Sequence, residues 1–229
     1  MAVDEVGARL TQRVSEQRRE RNSAAENAAA ALRGLIMDGA LRPGDRVNEE
    51  TFMGPLEVSR NTLRESFRLL AHEKLLVHKL NRGAFVRSPQ VDDVTDLFRV
   101  SRVVELPALS HAEERHVSRM ADIVAEGREA VRGEDWARAG TADLRFHQAI
   151  VAAASSPRLN ELIGQVAAEL RLAFDAVPDQ RAFHEKHLAR DGAIVSALST
   201  GDRAGAHRLL ESALDDAEAE LVTALRAQR

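Results

Sequence analysis

The chain has no cysteine, no tyrosine, one tryptophan and only 3% aromatic residues over its 229 positions. Without cysteine there are no disulfides, no thiolate metal sites and no cysteine nucleophile, and the composition is compatible with a reducing compartment. No run approaches the roughly 18 uncharged apolar residues that a membrane-spanning helix needs. The N-terminus M-A-V-D-E-V-G-A-R-L also lacks the basic-then-apolar order of a secretory signal. No membrane partner is expected, and the expected location is the cytoplasm. What remains is 44% apolar and 30% charged, the balance of a globular chain long enough for two ordinary domains.

Charge of one sign is scarce only locally. The total is −4, but residues 1–23 carry +1, residues 24–90 carry +2 and residues 91–229 carry −7. A front part able to face a polyanion, joined to an acidic remainder, suits a DNA-binding module on a domain with another task.

The stretch Val58–Ala71, V-S-R-N-T-L-R-E-S-F-R-L-L-A, concentrates that module's chemistry. Ser59 is a good N-cap, because its hydroxyl accepts from an otherwise unpaired amide in the first turn. At about 100° per residue, Leu63, Phe67 and Leu70 share one side, and Asn61, Arg64 and Arg68 fall within an arc of about 60° on another. Arg60 lies in the first turn, where a recognition helix presents side chains to base edges and flanking phosphates. Taken alone, the same pattern also describes a solvated surface helix.

Context favours the first reading. Residues 1–23 form a mixed-charge N-terminal extension in which Arg18, Arg19 and Arg21 are either phosphate contacts or part of a solvated terminus. From Ala24, the spacing of Ala28, Leu32, Leu35 and Ile36 predicts a helix that Gly39 stops. Pro43-Gly44 turns the chain, and Asn48 caps a second helix expected to end or kink near Met53, before Gly54-Pro55. After the Ser59 helix, L-L-V-H-K-L-N-R-G-A-F-V-R gives two β-prone runs around Asn81-Arg82-Gly83, a hairpin. Three helices and a hairpin within about 65 residues form a winged helix-turn-helix, and this order places Arg82 and the Gly83 backbone beside a duplex.

Beyond about residue 91 no strand is expected. Helices are predicted over 92–115, 118–132, 135–154, 157–176, 180–199 and 202–227, with breaks at Gly133, Ser156-Pro157, Val177-Pro178 and Gly201-Asp202 and a kink at Pro107. The fold class is therefore mainly α: a winged helix-turn-helix over 24–90 and an all-α antiparallel bundle over 91–229. In the bundle, Asp143 and His147 stand four apart and project from one helical face, a spacing that can chelate a cation. The same spacing serves a surface ion pair or a cap.

The runs L-R-P-G-D-R-V-N-E, V-S-R-N-T-L-R-E-S-F-R-L-L-A-H-E-K-L-L and R-G-A-F-V resemble the DNA-binding domain of GntR-type bacterial transcription regulators. The resemblance implies that Ser59, Arg60, Asn61, Thr62 and Arg64 lie at the DNA surface with Gly83; Arg68 and Arg82 join them from the helical and hairpin patterns. Two departures stand out: Gly54-Pro55 replaces helix-favouring residues, and Glu57 occupies a turn where glycine is common. The runs D-L-F-R-V-S-R-V-V-E-L-P-A, A-D-L-R-F-H-Q-A-I-V and A-I-V-S-A-L-S-T-G-D-R-A-G-A resemble the effector domain of the FadR branch of that family, the FCD type.

That second resemblance implies a bundle binding a small carboxylate effector, often with a divalent metal beside it. It places Asp191 and Ala213 at two positions where the family has histidines, leaving Asp143, His147, Asp191 and water as the metal set. One imidazole with two carboxylates favours manganese or magnesium over zinc or nickel. His184 and His187 are either substitute ligands or ordinary surface and pocket-rim histidines. Arg102 aligns with an arginine that the family places near the effector cavity, where its donor fork would pair with the carboxylate; the alternative is a salt bridge with Glu105 or an aspartate.

The resulting expectation is a homodimeric, effector-responsive regulator, a repressor, on a pseudopalindromic double-stranded operator. The rivals are an architectural DNA-binding protein with a dead pocket and a metal-dependent enzyme on the bundle. Against the enzyme, the chain has no H-E-x-x-H, no G-x-S-x-G and no phosphate-cradling glycine loop.

Overall fold

The computed structural model describes residues 24–228; the expectations for residues 1–23 lie outside them. The chain forms two compact units, the first containing residues up to Leu35 and Gly44–Arg87, the second Ile36–Pro43 and Ser88 onward.

In the first unit, helix α1 (24–37) supplies Ala25, Ala28, Ala29 and Leu32, each at most 3% exposed, as one continuous buried stripe. Helices α2 (Glu49–Leu56) and α3 (Arg60–His72) follow, with strands β1 (Arg46–Val47), β2 (Leu76–Lys79) and β3 (Gly83–Val86). The strands form an antiparallel sheet in the order β1-β3-β2, with Val47 opposite Ala84 and Leu76 opposite Val86. Leu63, Phe67 and Leu70 of α3 are buried with Leu75, Leu76 and Val86, each such burial contributing roughly 1.5–3 kcal/mol. Arg33 of α1 grips Glu73 just beyond α3 with two charge-assisted bonds of 2.8 and 2.6 Å.

Three local features correct or extend the sequence expectations. Helix α2 does not end near Met53 but runs through Gly54-Pro55 to Leu56. Its end is held by Glu57, which adopts a left-handed conformation (φ 52°) and donates to the Gly54 carbonyl, while Val58 reaches back to Met53 at 3.3 Å. This is a Schellman closure, normally built on glycine, and it satisfies the Met53 and Gly54 carbonyls. The hairpin turns through Asn81 (φ 57°) and Gly83 (φ 93°), the latter needing no side chain at its positive φ. Strand β1 was not expected; two residues leave no alternation to read.

The second unit is an all-α bundle of α4 (Val91–Leu109), α5 (Glu114–Arg132), α6 (Trp136–Ala152), α7 (Pro157–Phe174), α8 (Gln180–Ser199) and α9 (Arg203–Ala227). The predicted first helix is too long: α4 stops at Leu109, two residues past Pro107, and does not continue to 115. The Ser110 amide and hydroxyl both turn back to the Pro107 carbonyl, at 3.2 and 2.7 Å, closing the helix. The side chains of Asp135, Ser156, Asp179 and Asp202 cap α6 to α9. Phe98, Leu144, Phe146, Ile150, Phe174, Phe183, Ile194, Leu210 and Leu214 belong to one buried core. Gly140 lets the rings of Phe174 and His184 approach α6; a Cβ there would sit 2.9 Å from Phe174. No described helix is long and apolar enough to cross a membrane.

Candidate nucleic-acid interface and candidate metal centre

On the first unit, α3 turns its apolar side in and its charged side out. Ser59 caps it, accepting from the Thr62 amide at 3.2 Å while its hydroxyl meets that of Thr62 at 2.8 Å. Asn61 and Arg82 are exposed, and the side chains of Arg60, Arg64 and Arg68 are 58%, 64% and 73% exposed, enough to reach a ligand the size of a duplex. Glu49 at the start of α2 holds Arg60 and Arg64 at 3.3 and 3.2 Å, and Glu65 holds Arg68 at 2.9 Å. Such exposed pairs are worth under about 1 kcal/mol each, so phosphates can displace them at little cost.

A groove of about 330 Å³ runs between the start of α2, the first half of α3 and the wing. Arg60, Arg64 and Gly83 line it, as do Arg46 and His78, which the sequence reading missed. Arg46 sits on β1, the strand too short to predict, and its guanidinium lies beside the wing turn, 3.8 Å from where a Gly83 Cβ would be.

In the second unit, α6 and α8 bring Asp143, His147 and Asp191 together. One ligand atom from each lies within 4.8 Å of the other two, and among the described residues no other trio of possible ligands is so gathered. Asp143 and Asp191 are 6% and 1% exposed, and Asp191 Oδ2 is buried without a hydrogen-bond partner. His147 Nδ1 faces Glu105 Oε2 of α4 at 2.5 Å, which leaves Nε2 as the ring's free donor atom. A carboxylate behind a ligating imidazole fixes its tautomer and orientation. Glu105 was not identified as part of this centre from sequence; nothing local in α4 marks it, because its partner is 42 residues away.

The electrostatics are those of a crowded, buried anionic site. Burial would lower the His147 pKa, but the charge and hydrogen bond of Glu105, with Asp191 and Asp143 behind them, raise it to about 10. Burial, then the neighbouring Asp143 charge, raises that of Asp191 well above the carboxylate range. Three carboxylates around one imidazole leave excess negative charge that a divalent cation would balance. The orphaned Asp191 oxygen and the Glu105-oriented His147 ring therefore fit a cation.

These three residues line a cavity of about 30 Å³ whose other walls include Phe98, Ile163, Phe183, Ala213 and Leu214. His187 lines it too and is 5% exposed; His184 is 1% exposed. Neither lies at the surface. Burial holds the pKa of both below the usual histidine range, that of His184 at about 4, against the pull of Asp143. Arg102 does not line the cavity. Its guanidinium is bound to Asp215 at 2.6 and 2.9 Å and to Glu218 at 2.7 Å, both on α9. The salt-bridge alternative describes its placement, with partners other than Glu105.

A winged helix-turn-helix with a guanidinium-lined groove, followed by a separate all-α unit, defines a DNA-binding transcription regulator. Residues 24–86 match the bacterial regulatory proteins of the gntR family and residues 96–216 match the FCD domain. The chain belongs to the GntR family of transcription regulators, with an FCD domain as its second unit.

It is 39% identical to a protein described as a GntR transcriptional regulator from Rhodococcus sp. RHA1, whose crystal structure aligns with a TM-score of 0.81 over 88% of this chain and 98% of that one. It is 28% identical over 155 residues, 64% of this chain and 72% of the relative, to the Nta operon transcriptional regulator of Aminobacter aminovorans. The metal-free FCD domain of TM0439 shares the fold, with a TM-score of 0.50 and 15% identity over 61% of this chain and 98% of its own. Family and relatives are regulators, not enzymes.

Proposed function

We propose that this regulator is a cytoplasmic repressor whose operator binding responds to a small carboxylate metabolite held in the second unit beside a divalent cation. The observation that carries this reading is the convergence of Asp143, His147 and Asp191 on one buried point next to a cavity, far more acidic donor chemistry than a purely structural core requires. Asp143, Asp191 and His147 through Nε2 would hold the ion, with Glu105 orienting the ring; two carboxylates and one imidazole favour manganese or magnesium. When bound, the cation supplies a Lewis-acid seat for the metabolite's carboxylate. The existence of a metal-free FCD domain elsewhere agrees with a cation as a separable component of such units.

On the DNA side, Arg60, Asn61, Arg64 and Thr62 read base edges and flanking phosphates. Ser59, Arg68, Arg82, Gly83, Arg46 and His78 hold the backbone. A two-fold homodimer would place two α3 helices about 34 Å apart on a pseudopalindromic operator. The effector can shift that arrangement only by its differential affinity for the two states.

The test is operator binding at fixed salt by metal-stripped and manganese-loaded protein, titrated with a panel of small carboxylates. A shift of tenfold or more, about 1.4 kcal/mol of coupling, is expected for one compound with loaded protein. Specific DNA binding that no cation and no carboxylate alters would replace the sensor by an architectural DNA-binding protein.

A further inference from the structure

Helix α8 buries two possible ligands one turn apart. Asp191 belongs to the group of three; His187, four residues earlier on the same face, lines the same cavity. His187 Nε2 and Asp191 Oδ2 are both buried without a hydrogen-bond partner. Glu220 Oε1 lies 3.7 Å from that ring nitrogen, too far for a hydrogen bond, and is already held by Lys186. Leaving a buried polar nitrogen unmatched costs about 1–3 kcal/mol, and two such atoms beside one cavity point to a common partner that is not protein. Across the cavity, α9 offers Ala213, Leu214 and Ala217, none with a donor atom.

We propose that His187 is a fourth protein donor to the cation held by Asp143, His147 and Asp191, supplying the imidazole that α9 lacks at Ala213. The inference rests on the cation reading given under Proposed function. His187 stands outside the close group of three as placed, and ligation requires its ring to turn about its own side-chain torsions toward Asp191, over a cavity that borders it. The ring packs against Phe183 at 4.4 Å between centroids, an apolar contact that sets no hydrogen-bond constraint on the turn. His184, the other buried histidine of α8, does not take this role: its Nε2 meets Gln180 Oε1 at 3.1 Å, and it does not line the cavity. With two imidazoles and two carboxylates, the preference moves from manganese and magnesium toward cobalt, nickel and zinc.

The experiment counts imidazoles on the ion. Full-length protein is stripped of metal, given one equivalent of Cu²⁺ and examined by pulsed electron paramagnetic resonance, with Co²⁺ and Mn²⁺ affinities measured by calorimetry on the same material. Two coupled imidazoles are expected in the wild type and one in His187→Gln, with Co²⁺ affinity falling about tenfold or more in the variant and Mn²⁺ affinity changing less. One imidazole in the wild type, removed by His147→Gln and untouched by His187→Gln, overturns the role of His187 and leaves the three-ligand site standing. Absence of any imidazole-coupled ion overturns both readings. Should His187→Gln fail to fold, the wild-type imidazole count decides alone.

Discussion

Helices α3 and α8, to which the proposed function assigns its two halves, are built in opposite senses. Helix α3 buries Leu63, Phe67 and Leu70 and keeps Arg60, Arg64 and Arg68 in solvent. Helix α8 buries His184, His187 and Asp191 alongside Phe183, Leu188 and Ile194. The first binds a partner larger than itself and can leave its charges hydrated until the partner arrives. The second, on the reading proposed above, serves a ligand small enough to be enclosed, and its polar groups are desolvated in advance. Function on α3 is thus nearly free of stability cost, whereas on α8 it is opposed by burial.

The sharpest way to break that contrast is Asp191→Ala. Cation affinity should fall by more than about a hundredfold, while the metal-free variant should be more stable than wild type by about 1 kcal/mol, since a buried unpaired carboxyl oxygen is removed and alanine is the better helix former. Chemical denaturation of stripped protein checks this; a destabilised variant would make Asp191 a structural group and end the comparison.

Next in size is the acid response. His184 is held at about 4 in the fold against about 6.5 for an ordinary histidine, so the unfolded chain binds the proton first as pH falls. Stability from this group is fully present above pH 6.5 and is lost progressively between 6.5 and about 4, by about 3 kcal/mol. Urea midpoints across that range should fall in wild type and fall less in His184→Leu; equal slopes would show that the ring is not held neutral by burial.

For α3 the expected pattern is the reverse. Arg64→Ala should weaken operator binding by about 1–3 kcal/mol and relax sequence preference at one position, with no change in the thermal midpoint. Loss of stability without loss of affinity would contradict the outward reading of this helix. The smallest effect belongs to the turn before it: Glu57→Gly relieves a left-handed side chain and should stabilise by about 0.5–1 kcal/mol, measured by the same denaturation, with operator affinity unchanged.

The same contrast explains what could be read in advance. On α3 the cap Ser59, the apolar stripe and the arginine arc all lie within fourteen residues, and local periodicity carries every part of the argument. Asp143 and His147 were legible for the same reason, being one helical turn apart. Asp191 needed the family resemblance, because it lies 44 positions after His147 and no local pattern joins them. Glu105, behind His147, and the Asp215 and Glu218 partners of Arg102 are pairings across 42 or more residues. A guanidinium that fits a ligand carboxylate fits an aspartate equally well, so the residue type of Arg102 could not decide between them. For His184 and His187 the sequence left ligand and surface or pocket-rim roles open, because histidine is polar by composition, whereas burial depends on which neighbours the bundle supplies. At α2 the proline signal was real but incomplete: it marks one missing amide, whereas the helix end is set by the Schellman closure at Glu57 and Val58.

One dimension of the bundle bears on how any signal leaves it. The cavity beside Asp143, His147 and Asp191 encloses about 30 Å³, enough for about two water molecules and too little for a metabolite of several carbon atoms. The proposed metabolite would gain its place by pushing wall residues such as Ile163, Phe183 or Leu214 outward, and close-packed interiors pass such strain on instead of absorbing it. On the proposed reading, occupancy and deformation are therefore one event in this unit, and it cannot be filled quietly.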